Sequence, residues 1–366
     1  MVERVGGLET RDTAGWKPAL RRLRADRGRP GYEISGRKVK QPRHWSLLIG
    51  HFLPLWLAAL SCGAAGLSEN FTSDPLASGW RRHGDASLFQ WNATNGTLEV
   101  TWDSARPNSF FARPLGNVVT KSDDFALEFD LRLDEVIPGP NPAKPSTFQV
   151  ALGLLNWRTA TNTAFRRGTG HDSPHLVEFS YFPEADFIAA TVSPAITSSN
   201  SQFATSFTYP LAMPVGDAFH IALRYTATNR TLVTTMTRNG QPFGPVESVT
   251  LGASFTDFRA DTLSINSYSD AGDLYGSILA RGVVDNILVT LPPPPVSVVT
   301  IMRSNSVSLV EFTGRTNWLY TLEATEDLVN WTTLPPAQAG FEGRMTFSET
   351  NTMASQRFHR IRAERP

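Results

Sequence analysis

Cysteine is nearly absent: the 366 residues hold one, Cys62. With a single thiol no internal disulfide can form, and no cysteine nucleophile stands anywhere after residue 62. Catalytic signatures are missing too. There is no GxSxG elbow, no HExxH pair and no phosphate-binding loop. Charge is balanced overall, at 34 Lys+Arg against 34 Asp+Glu, but unevenly placed. Residues up to Gly66 hold 12 basic against 5 acidic side chains, leaving 22 against 29 afterwards, so the body is acidic by about 7 charges. That excludes a clustered Lys/Arg stripe for nucleic-acid phosphates, since such binding needs neutralising cations on one face. Long apolar runs are equally scarce. The one present, Ser46 to Leu60 (SLLIGHFLPLWLAAL), is interrupted by His51 and Pro54 and is too short to span a bilayer comfortably.

That run carries an address. Arg37, Lys38, Lys40 and Arg43 precede it, and small residues from Ser61 to Gly66 follow, which is the layout of a cleaved export signal over residues 37–66. The expected location is therefore secreted, periplasmic or cell-surface, with no membrane span in the mature chain. Lipidation of Cys62 is disfavoured, because a lipobox wants Leu three places before the Cys and Ala59 stands there. Residues 1–36 are Arg/Gly-rich without apolar periodicity and are expected to lack fixed structure. The stretch TRDTAGWKPAL within them resembles the translated form of an interspersed repeat, which implies a start near Val39.

From Phe71 onward, short runs rich in Val, Thr, Phe and Tyr alternate with Gly, Pro, Asn and Asp clusters, and no stretch keeps a helical period. An all-β antiparallel sandwich is the expected class. In DFALEFDLRLDE, Phe125, Leu127, Phe129, Leu131 and Leu133 share one face, while Glu128, Asp130, Arg132 and Asp134 share the other. FQVALGLLNW is apolar throughout, as a strand near the middle of a sheet should be. HIALRY and TLVTTMT are joined by TATNR, and the second runs into Asn239-Gly240, a pair suited to a tight hairpin. GVVDNILVT closes this region at Leu291, and Pro292 to Pro295 form an extended linker of residues that cannot donate ladder hydrogen bonds. Residues 296–366 then offer five further strand-like runs, the size of a small β-sandwich.

The order of NFTSDPLASGW, NATNGTLEV, HIALRYTATNRTLVTTMTRNGQPF and GVVDNILVT over residues 67–291 resembles the concanavalin A-like lectin/glucanase jelly roll, including laminin-G-like modules. The last piece, LYTLEATEDLVNWTTL with RFHRIRA, resembles a small fibronectin type III-like module found at the ends of exported bacterial proteins; Leu322 and Trp331 would be core there, and attachment or spacing is implied.

Laminarinase-type glycosidases of the jelly-roll family carry ExDxxE on one strand, with two of the carboxylates acting as nucleophile and general acid. Glu128-Phe129-Asp130 begins that pattern but continues Leu131, Arg132, Leu133; Glu178 has the right setting but Ser180 replaces the needed Asp. A non-catalytic protein is therefore expected, with a glycoside hydrolase or a structural envelope component as alternatives. Its expected partner is a polysaccharide or surface glycan, held by stacking on an aromatic face with polar groups around it. Of Trp80, Trp91, Trp102, Trp157, Tyr181 and Tyr209, the favoured residues are Trp157 and Tyr181, with Asn156, Arg158 and Glu178 as polar neighbours. The resemblance also implies a Ca²⁺ site where first and last strands meet, drawing on Glu69, Asp74 and Asp285, with Asp270 and Asp273 as a second option. His171 and His175 lie four apart in a loop and are read as exposed loop histidines rather than metal ligands.

Overall fold

The strand Phe125–Pro138 sets the architecture, because its alternation leaves one face to bury. Phe125, Leu127, Phe129, Leu131 and Leu133 are all buried, and Arg132 and Asp134 on the other face are exposed. The computed structural model describes residues 66–365 apart from 168–171, 187, 272–275, 305–306 and 351–355. Residues 1–65, which hold all but the last residue of the expected export signal, lie outside the described residues, as do His171 and Asp273.

Two antiparallel sheets hold the chain up to Thr290. In the first, of nine strands, Phe125–Pro138 lies between Ala218–Thr226 and Ile278–Thr290. The closing strand Ile278–Thr290 pairs on its other side with Thr97–Asp103 and then with Gly66–Glu69, so the start and end of this region are hydrogen-bonded neighbours. The hairpin between Ala218–Thr226 and Thr231–Arg238 forms as the sequence predicts. Asn239 and Gly240, at φ 50° and 77°, turn the chain from Thr231–Arg238 into Gln241–Phe243.

The second sheet, of eight strands, places Val150–Leu155 in the middle, between Leu176–Phe182 and Ala260–Ser267. Its outer strands are Arg81–His83 at one edge and Phe203–Thr205 at the other. Phe129 of the first sheet meets Phe179 of the second edge-to-face at 5.7 Å, one of many apolar contacts that join the two inner faces into a single core. This is the jelly-roll sandwich expected from the pattern. Among the described residues no helix is long and apolar enough to cross a membrane.

After Pro292–Pro295 come two three-stranded antiparallel sheets with a separate core of Val310, Phe312, Trp318, Tyr320, Leu322, Met345 and Phe347. Leu322 is buried there as expected. Trp331 is not a core residue: it is half-buried at the surface with the Arg360 guanidinium 4.1 Å over its ring, and Trp318 fills the interior instead.

Candidate functional site

Period-two alternation gives the second sheet two faces. On Leu176–Phe182, Phe179 points to the inter-sheet core, so Glu178 and Ser180 point the other way. Register places Gly153, Ser264, Ala112 and Arg81 in the row of Glu178, and Ala151, Asn266, Phe110 and His83 in the row of Ser180. Gly153, Ser264, Ala112 and Ala151 among them are small. Gly153 is small by necessity, because a Cβ there would lie 2.2 Å from the Val177 carbonyl oxygen.

This outer face is filled by the protein itself. Glu178 is 0% exposed. Its Oε2 accepts from Arg167 Nε at 2.8 Å and from Ser180 Oγ at 3.3 Å; its Oε1 accepts from Asn266 Nδ2 at 2.8 Å and Tyr268 Oη at 2.5 Å. Arg167 also meets Asp172 at 3.2 Å. Burial alone would lower the Arg167 pKa, but the charges of Glu178 and Asp172 outweigh it and hold the guanidinium protonated. Burial, reinforced by the charge of Glu178, pushes the Tyr268 phenol well above its ordinary range, so it stays a donor. With each oxygen accepting two hydrogen bonds, Glu178 has no lone pair or path for a substrate. The glycosidase-like setting of this strand has become a buried ion-pair cluster.

The favoured carbohydrate-binding residues separate accordingly. Tyr181 is 3% exposed on the core face, where its hydroxyl accepts the Met213 amide at 3.1 Å, so neither it nor Glu178 can meet a sugar from the surface. Asn156, Trp157 and Arg158 directly follow the central strand Val150–Leu155, and the Trp157 ring reaches the edge strand Arg81–His83. Asn156 caps the short helix Trp157–Ala160, and Asp261 accepts from the Trp157 amide and the Asn156 side chain. The Trp157 ring is half-buried beneath the Arg81 guanidinium, at 3.7 Å, and meets His83 edge-on at 5.7 Å. Arg158 is exposed.

The calcium residues are engaged by protein donors. Glu69 accepts from the Phe71 amide, Ser78 Oγ, Trp80 Nε1 and Arg113 Nη1, the last at 3.2 Å, so a cation already neutralises it. Asp74 accepts the Leu76 amide in a local turn. Asp285 accepts the Asn286 amide, and its pKa is raised, chiefly by burial and further by the charges of Asp130 and Glu69. Asp270 is bound by Ser104, Asn141 and Lys144. Among the described residues no three His, Cys, Asp or Glu side chains converge to hold a metal ion. His175 is not simply a solvated loop residue: its Nδ1 accepts the Arg259 amide at 3.0 Å, and burial, then the Arg259 charge, lowers its pKa.

The most exposed aromatic cluster of the sandwich lies at the opposite edge. Phe203, Phe207 and Tyr209 are 44%, 53% and 66% exposed on and just after the edge strand Phe203–Thr205. Two adjoining grooves of about 570 and 690 Å³ share Thr205; Gln202, Phe203 and Thr250 line one, and Phe207, Tyr209 and Glu247 line the other. The rings stand on pinned backbone. Thr208 and Val192 exchange amide hydrogen bonds of 2.9 and 3.0 Å, the Ser206 hydroxyl donates to the Glu247 carbonyl, and Phe203 sits 5.5 Å from the buried Arg167 guanidinium. Sequence reasoning singled out Tyr209 only as an available aromatic and missed both phenylalanines. The available signal was aromatic residues recurring at even spacing in the Ser/Thr-rich stretch NSQFATSFTYP.

No family model matches the chain, and no curated protein does. Solved structures with similar folds include an alginate lyase, at 13% identity and TM-score 0.38, covering 62% of this chain and 97% of that one. Peanut lectin with a 9mer peptide follows at 16% identity and TM-score 0.40, covering 62% and 99%. Lectin II from Ulex europaeus shows 13% identity and TM-score 0.41, covering 62% and 98%.

Proposed function

We propose that this is an exported, non-catalytic glycan-binding protein whose sugar platform is the aromatic edge formed by Phe203, Phe207 and Tyr209. The observation that carries the reading is three exposed rings on fixed backbone beside two grooves furnished with hydroxyl, amide and carboxylate groups. Flat apolar faces take the C–H side of a pyranose ring, and the polar lining takes its hydroxyls. The commitment of Glu178 to Arg167, Asn266 and Tyr268 supports a non-catalytic reading, since it removes that carboxylate from acid or nucleophile duty. In this reading residues 37–66 direct export, and residues 296–366, a fibronectin type III-like module after the proline linker, space or attach the binding domain.

The test is affinity electrophoresis of the full chain through neutral polysaccharides. The wild type should be retarded on at least one of them, and Phe207→Ala/Tyr209→Ala should weaken that retardation by about tenfold. Free migration of the wild type across a broad panel of neutral glycans would reject the proposal.

A further inference from the structure

At the edge of the second sheet opposite the aromatic platform, Arg81 differs from the ion-paired arginines of the sandwich. Arg113, Arg132, Arg167, Arg238 and Arg281 each meet a carboxylate. Arg81 meets none among the described residues. Its guanidinium carbon lies over the Trp157 indole, 3.7 Å from the ring centroid, and its buried Nε has no acceptor among the described residues. A stacked guanidinium is a pre-oriented fork, because the ring fixes the plane while leaving the edge donors unspent.

Arg158, next in sequence to Trp157, adds a second positive charge beside this ring. His83 shares the face of Arg81 on Arg81–His83 and touches the same indole, and Arg158 follows Trp157 and is exposed, with no ion pair among the described residues. The nearby acids are occupied. Asp261 takes the Trp157 amide, Asn156 Nδ2 and Thr262 Oγ1, while Asp85 takes Ser87 and lies 3.6 Å from Arg106. On an acidic body, this edge is a local site for an anion.

We infer that the Arg81–Trp157 edge binds the carboxylate or sulfate groups of an acidic polysaccharide, with Arg81 as the bidentate ligand, Arg158 as a flanking cation and His83 as a neighbouring polar group. Planar carboxylate and the paired oxygens of a sulfate both match the guanidinium fork. This site is independent of the aromatic platform, since the two occupy opposite edges of one sheet.

Isothermal titration of the full chain against polygalacturonate, dextran sulfate and neutral dextran tests the inference at two salt concentrations. The chain should bind one or both charged polymers, more weakly at higher salt, and the one it prefers identifies the anion. Arg81→Ala should reduce that affinity by about tenfold, and Arg81→Lys should not restore it, because an ammonium lacks the fork. His83→Ala/Arg158→Ala, confined to exposed side chains, should weaken binding without moving the melting temperature, and the weakening should shrink at higher salt. Wild-type affinity in both the Arg81→Ala and His83→Ala/Arg158→Ala proteins overturns the inference. So does binding of the charged polymers that salt does not weaken, or equal affinity for polyphosphate.

Discussion

Arg365 reaches back 242 residues to Asp123, its Nη2 standing 2.6 Å from each carboxylate oxygen. Its Nη1 donates to Thr120 Oγ1 at 2.6 Å, and the guanidinium lies 4.6 Å over the Trp318 ring. Asp123 belongs to the turn that leads into Phe125–Pro138, whereas Trp318 belongs to the core beyond the proline run. One side chain therefore ties the last strand of the chain to the sandwich.

Arg365→Ala should remove this tie and leave Asp123 buried without its cation. We expect a loss of about 1–3 kcal/mol, less than a fully buried pair because Thr120 still serves the carboxylate. Urea denaturation followed by tryptophan fluorescence reads it out. An unchanged midpoint would show that the contact contributes nothing.

Glu178→Gln should be costlier. The amide keeps the shape of the side chain but removes one of the two charges that compensate Arg167, in a site closed to water. Destabilisation of about 3–5 kcal/mol is expected, as for other buried pairs stripped of one partner. Because Arg167 sits beneath Phe203, the same variant should also loosen the aromatic platform, seen as faster exchange of the amides around residue 203.

Asp285→Asn should do the opposite. A raised carboxyl pKa means the folded state holds its proton to higher pH than the unfolded chain does, so the charge disfavours folding at neutral pH. The sign is the reverse of a salt-bridged acid: wild-type stability falls as pH rises through the window between the ordinary carboxylate value and the raised one. The asparagine protein should melt higher than wild type at pH 7, and the gap should close as pH falls toward about 4. Its Oδ1 can still accept the Asn286 amide. Added Ca²⁺ should leave both melting temperatures unchanged, since Arg113 already occupies Glu69; a calcium-dependent rise lost in Asp285→Asn would restore the metal site.

Much of the fold was readable in the residues because alternation and turn chemistry are local. Phe125 to Leu133 declared a half-buried strand, Asn239-Gly240 a tight turn, and Pro292–Pro295 a break in the ladder. The site was less readable for a physical reason. Alternation tells which side of a strand Glu178 faces, not what lies over that side. Its cover comes from Arg167, 11 residues before it, and from Tyr268, 90 residues after it. Tyr181 and Trp331 fail similarly: ring size argues for stacking or burial alike, and only the third dimension assigns Tyr181 to the core and Trp331 to the rim.

A polymer lying in a walled cleft is limited by the ends of that cleft, and its segments must thread or be trimmed to fit. Because the broad face of the second sheet is packed with its own side chains, Phe203, Phe207 and Tyr209 sit along a border that is open outward. Under the proposed function, a glycan resting on that border could be of any length and could belong to a fibre or wall too large to enter a pocket, so attachment to an insoluble surface and capture of a soluble chain would be the same event.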